Sequence, residues 1–152
     1  ACMRFIVCLL LPLLFSTHSL AETFSISCGE LQGYSYYFEA GYVGKSKSLS
    51  PDFTTDGYSG GQTILSVDDK NNGKVSWRDS SGAKKSAAST GGVVTVLRAG
   101  ENGFNWFIQY SGGLLEVYSF NILSKEVAMY VNTVGSGMFP KNSILVGDCK
   151  II

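Results

Sequence analysis

The chain predicts an all-β fold, an antiparallel meander of about eight strands. Helical periodicity is nearly absent after residue 21. Short runs rich in Tyr, Phe, Val, Ile, Trp and Thr recur there instead, set apart by clusters of Gly, Asn, Asp and Ser. Two cysteines, Cys28 and Cys149, bracket nearly all of those runs.

The elements follow in order. A short extended piece over 24–28 comes first. Main strands are expected at 34–38, 63–68, 74–79, 93–98, 104–110, 114–121, 127–133 and 143–149. Asp69-Lys70-Asn71-Asn72-Gly73 joins the second main strand to the third, and Gly100-Glu101-Asn102-Gly103 the fourth to the fifth. Both end in Asn-Gly, the dipeptide that most readily adopts the left-handed backbone of tight hairpins. Ser111-Gly112-Gly113 and Leu123-Ser124-Lys125-Glu126 supply the next two links. Short links between successive strands make antiparallel neighbours, and nothing supplies the helical crossovers of a parallel sheet.

Two connections are long. Residues 39–62 hold five glycines and Pro51 without a clear strand. Tyr42, Phe53 and Tyr58 within them suggest packing against the body. Residues 80–92, small and polar with the pair Lys84-Lys85, read as a mobile solvated loop. Tyr58-Ser59-Gly60-Gly61 is echoed by Tyr110-Ser111-Gly112-Gly113, a repeat short enough to arise from turn chemistry alone.

A meander of this length must manage its edges. An up-and-down barrel removes them, and a two-sheet sandwich is the alternative. A bond between Cys28 and Cys149 would bring the first and last strands together, which favours the barrel. Alternation puts Phe104, Trp106, Ile108 and Tyr110 on one face, opposite Asn105 and Gln109. Val127, Met129 and Val131 form a similar stripe. Leu114, Tyr118, Phe120 and Ile122 share a face, yet Leu115 and Val117 point the other way. Something is therefore expected to cover that outer face, either residues 39–62 or a partner subunit.

The first 21 residues read as a leader. Ala1 and Cys2 precede the first methionine, Met3, as a remnant. Arg4, the apolar core over 5–15 and Ser19-Leu20-Ala21 then have the order of a signal peptide, with cleavage after Ala21. Eleven residues in a helix reach only about 16 Å, against roughly 30 Å of hydrocarbon. Pro12 weakens a membrane anchor further. Neither Cys8, inside the apolar core, nor Cys28, well past it, is placed for lipidation. The expected product is a single all-β domain over 22–152, exported to the periplasm or secreted, with no membrane span.

Loss of Arg4 leaves 11 basic residues against 12 acidic. That balance gives no electrostatic reason to bind nucleic acid or an anionic membrane. In an oxidising compartment Cys28 and Cys149 are most simply one disulfide rather than free thiols or metal ligands.

The only histidine, His18, lies in the leader. Beyond it no Ser-His-Asp or Cys-His arrangement and no imidazole zinc ligand can form, and no Walker-type loop occurs. The stretch from Asp68 to Gly73 resembles the start of a calcium loop, but Lys70 stands where an oxygen ligand is needed, so a hairpin turn is the better reading. Ser81-Gly82-Ala83-Lys84 fits Ser-x-x-Lys without the rigid helix start that motif requires. Asp79, Glu116 and Glu39 could in principle form a carboxylate pair for glycoside hydrolysis, with surface charge as the default. No catalytic residue, cofactor or metal is therefore assigned.

Aromatic residues are abundant. Tyr34, Tyr36, Trp77, Trp106, Tyr110 and Tyr118 are candidates either for the core or for lining a ligand cavity. Core is the favoured reading of the two, with a protein interface third.

Cys28, Gly33-Tyr34-Ser35-Tyr36-Tyr37, Glu116-Val117-Tyr118-Ser119-Phe120 and Cys149 together resemble small exported bacterial proteins with no assigned activity. The resemblance implies a periplasmic or secreted setting and carries no site residues. The expected function is a non-enzymatic exported binding module, a small β-barrel recognising an apolar small molecule or a protein partner. A structural or inhibitory envelope protein, or a carboxylate-dependent hydrolase, are the alternatives.

Overall fold

The structure, a computed structural model, describes residues 24–38, 53–133 and 140–152. The leader, Glu39 and Tyr42 lie outside the described residues, as does most of the first long connection. Within them run eleven strands: β1 (Phe24–Cys28), β2 (Leu31–Tyr37), β3 (Phe53–Tyr58), β4 (Gln62–Val67), β5 (Gly73–Arg78), β6 (Lys84–Ser86), β7 (Gly92–Arg98), β8 (Gly103–Tyr110), β9 (Leu115–Asn121), β10 (Glu126–Asn132) and β11 (Lys141–Ile151). A 3₁₀ turn, Ala88–Thr90, sits between β6 and β7. Every strand pairing is antiparallel. The fold is all-β as the sequence predicts. The sandwich alternative gives way to one sheet curled into a half-barrel.

The hydrogen-bonded order is β6-β5-β4-β1-β11-β10-β9-β8-β7, with β2 and β3 alongside β11. This is a meander whose seam has been displaced. β7 to β11 form consecutive hairpins, and β11 then takes the first strands as its next neighbours. One half of β11 pairs with β2 and the other with β1. β1 and β2 therefore act as one long strand, broken at Gly29 and Glu30. β3 and β4 are its partner, broken over 59–61. Cys28 and Cys149 face each other across the β1–β11 ladder and are disulfide-bonded. The open seam falls between β5–β6 and β7, elements adjacent in sequence.

The interior follows from period-2 alternation. Phe104, Trp106 and Ile108 of β8 point inward with Tyr118 and Phe120 of β9 and Val127 and Met129 of β10. Trp106 is completely buried, and its indole N–H donates to the Ser66 carbonyl of β4 at 3.0 Å. That bond spans the barrel from one wall to the other and satisfies the donor that burial would otherwise strand.

Three expectations need correction. The connection over 39–62 contains a strand after all: β3 pairs along its whole length with β2. Its sequence, Phe-Thr-Thr-Asp-Gly-Tyr, hides its β character because Asp and Gly are poor strand formers. Residues 80–92 are likewise built rather than loose. Ala87 is fully buried, its N–H donates to the Val75 carbonyl, and Ser86 and Ser89 exchange side-chain bonds to each other's backbone N–H. Finally, in the β4–β5 and β7–β8 turns the left-handed residues are Asn71 and Gly100, not the two Asn-Gly dipeptides. Gly73 is needed for a different reason. A Cβ there would lie 2.1 Å from Val96 Cγ2 and 3.2 Å from Trp106 Cδ1, so its bareness lets β5 close down on β7 and β8.

The near-repeat of Tyr-Ser-Gly-Gly serves two unlike purposes. One copy lies at the break between β3 and β4, and the other makes the β8–β9 hairpin.

Candidate functional site

The strand ladders sort the interior into layers. The row Trp106–Tyr118–Met129–Leu145–Gly33 crosses five strands. Phe104, Phe120 and Val127 lie on one side of it and are wholly apolar. On the other side the row reads Ile108–Glu116–Val131–Ser143–Ser35, where polar groups enter. The half-barrel thus has an apolar base and a polar mouth.

At the mouth lies a cavity of about 430 Å³, within the usual range for small-ligand sites. Trp77 and Thr63 line it from one wall, and Tyr118, Met129 and Glu116 from the other. Arg78 and Asp79 belong to its rim. Arg78 follows Trp77 at the end of β5 and is exposed while still bordering the cavity.

Glu116 is the unusual member. It occupies an inward position on the face that Tyr118 and Phe120 share, not the surface position that its residue type suggests. It is half-buried, and the Tyr118 hydroxyl donates to its Oε2 at 3.2 Å. Burial pushes its carboxyl above the ordinary value, and hydrogen bonds from Tyr118 and Tyr110 offset that only in part. No lysine or arginine among the described residues forms an ion pair with it. The Tyr110 hydroxyl is pushed up by its own burial and then by the same carboxylate.

Asp79 lines the same cavity but is committed locally. Its Oδ1 accepts from the Ser81 N–H and hydroxyl and from the Ala83 N–H, and the Ser81 bond leads in holding its pKa low. Ser81 and Lys84 of the Ser-x-x-Lys match therefore belong to this turn and to β6. Asp68 plays the same part in the next turn, accepting from the Lys70 and Asn72 N–H groups and from the Asn72 side chain. That geometry is a hairpin turn, and no metal-binding group of three or more candidate ligands occurs among the described residues.

A second polar cluster was not visible in the sequence. Ser35 and Ser143, both buried, hydrogen-bond to each other and to Asp56, which also pairs with Lys141. Desolvation would raise the Asp56 pKa, but bonds from Lys141, Ser35 and the Gly57 N–H outweigh it and hold the carboxyl low. Desolvation would likewise lower Lys141, and Asp56 and Tyr37 outweigh it and push the ammonium up. A lysine kept charged cannot deprotonate Ser35, and Ser35 has no exposed surface. The cluster is a strut between β2, β3 and β11.

Of the six aromatic candidates, Trp106 lies in the core, Trp77 and Tyr118 line the cavity, and Tyr110 is half-buried beside Glu116. Tyr34 and Tyr36 lie outside the core and line a second hollow, of about 750 Å³, on the outer face. Tyr34 is 64% exposed, and Tyr36 lies on the same outer face against Phe53, ring centroids 5.0 Å apart. That face carries a continuous row, Phe107–Val117–Tyr130–Ile144–Tyr34, with Ile144 61% exposed. It extends the outward apolar residues of β9 into a belt, and β3 lies at the far end of that belt rather than over β9.

No helix among the described residues is long and apolar enough to cross a membrane. No protein-family model, no curated protein and no solved structure matches the chain.

Proposed function

We propose that the chain is a non-enzymatic binding module, exported after cleavage behind Ala21, that holds a largely apolar small molecule in the mouth of its half-barrel. The observation that carries this reading is the cavity between Trp77 on one wall and Tyr118 and Met129 on the other. A packed core would have closed that space, whereas an apolar hollow with a few convergent polar groups is the usual form of a ligand site. Native mass spectrometry of protein from its own host tests the reading by weighing any retained compound. A small-molecule adduct that Trp77→Ala diminishes is the expected result. Bare chain throughout, together with no binder in a fragment screen, would overturn it.

A protein partner is the second reading, supported by the outer belt. Exposed apolar surface of this continuity is what an interaction face presents. A retained protein, released by substituting Tyr34 and Ile144 with serine, would favour it over the cavity. Export itself is checked by N-terminal sequencing, which should begin at Glu22.

A further inference from the structure

A carboxylate set inside a barrel mouth usually meets a cation from the protein, because a half-buried charge without a partner is costly. Glu116 has two phenols for neighbours and no such partner among the described residues. Tyr118 contacts its Oε2, Tyr110 adds a second hydrogen bond, and the one ion pair among the described residues, Lys141 with Asp56, is made elsewhere. Asp79, the other acid of the cavity, adds negative charge, and Arg78, which also lines it, makes no ion pair with Glu116. The rest of the lining is Trp77, Tyr118 and Met129, with Thr63 and the edge residues Ser59, Gly61 and Ser80. Aromatic faces attract cations through their quadrupole, and a thioether packs readily against irregular apolar groups. Carboxylate, indole, phenol and thioether thus line one space, and no lysine or arginine among the described residues neutralises the carboxylate.

We propose that the mouth cavity takes an organic ammonium ion, its charged head against Glu116 and its apolar body against Trp77 and Met129. This rests on the reading of the mouth as a small-molecule site and names the class of its ligand. A neutral compound of the same shape fills the walls but leaves Glu116 unpaired. An anion meets two carboxylates.

The test pairs a series of n-alkyl- and arylalkylamines, each with the alcohol of matching length, against the full exported chain. Affinities come from calorimetry, and the indole signals of Trp77 and Trp106, assigned by substitution, report the place of binding. The amines should bind at least tenfold more tightly than their alcohols while shifting Trp77 and sparing Trp106. Glu116→Gln, verified as folded by circular dichroism, should bring each pair within about threefold. Equal binding of amine and alcohol to the unaltered protein overturns the ammonium assignment while leaving the mouth as a ligand site. An amine preference that survives Glu116→Gln overturns it too. Failure of every amine and every alcohol to bind overturns both the assignment and the reading of the mouth on which it rests.

Discussion

Trp106 reaches from β8 across the interior to the Ser66 carbonyl of β4, so one side chain ties the two walls of the curl. Trp106→Ala should cost about 3–5 kcal/mol, the usual range for emptying that much core, read as a loss of melting temperature. Asp56 acts through charge instead. Its folded pKa lies below the ordinary 3.8, so the fold favours the ionised form. The resulting stability is complete above the ordinary value and fades as pH falls through the lowered one. Asp56→Asn lacks it at every pH. The gap in melting temperature between the two proteins should be wide at neutral pH and narrow in acid, and a gap constant with pH would refute the linkage. Trp106 could be read inward from its neighbours Phe104 and Ile108. The same alternation put Glu116 on the face of Tyr118 and Phe120, but the ordinary habit of glutamate argued for the surface. The Asp56 cluster was out of reach, because Ser35, Asp56 and Lys141 meet across 21 and 85 residues of chain. Their meeting depends on which strands become neighbours.

At the scale of elements, hairpins were legible and long-range pairings were not. The links after β4, β7, β8 and β9 announce themselves by local turn residues, while the β2–β3 ladder joins strands separated by a long connection of mixed composition. Gly73 shows the limit of the local view. It looks like a turn glycine and serves as a gap where Val96 can approach. Gly73→Val should destabilise by about 1–3 kcal/mol through overpacking, with the loss showing first as faster amide exchange in β5 and β7. The disulfide bears on the opposite side of the curl. It closes a span of 121 residues, for which chain entropy gives about 4–5 kcal/mol. Replacing both cysteines by serine should lower stability by that order, measured by denaturant titration. An unchanged midpoint would show that the β1–β11 ladder holds without the bond.

The whole molecule is a sheet whose first and last strands are neighbours. That property was readable from the cysteine pair, and it favoured a barrel over a sandwich before any pairing was known. The place of the seam was not readable. Hairpin chemistry gives no sign that β6 and β7, adjacent in sequence, would part while β1 and β11 joined. The polar mouth and apolar base were hidden for the same reason, since layers appear only when registers across five strands are known. The expected helical signal in far-ultraviolet circular dichroism is correspondingly small.

The position of β11 has a consequence for timing. It supplies edges to β1, β2 and β10, so a chain ending at residue 140 leaves all three without a shared partner. Such a chain should remain protease-sensitive and lack the near-ultraviolet signature of a packed Trp106. Contacts this distant in sequence make folding slow, because the loop must close before it is rewarded. During synthesis from the N-terminus the second edges of β1 and β2 therefore wait unpaired for the last strand to arrive. A polypeptide built this way keeps those edges open until it is complete, and it locks shut only with its last strand.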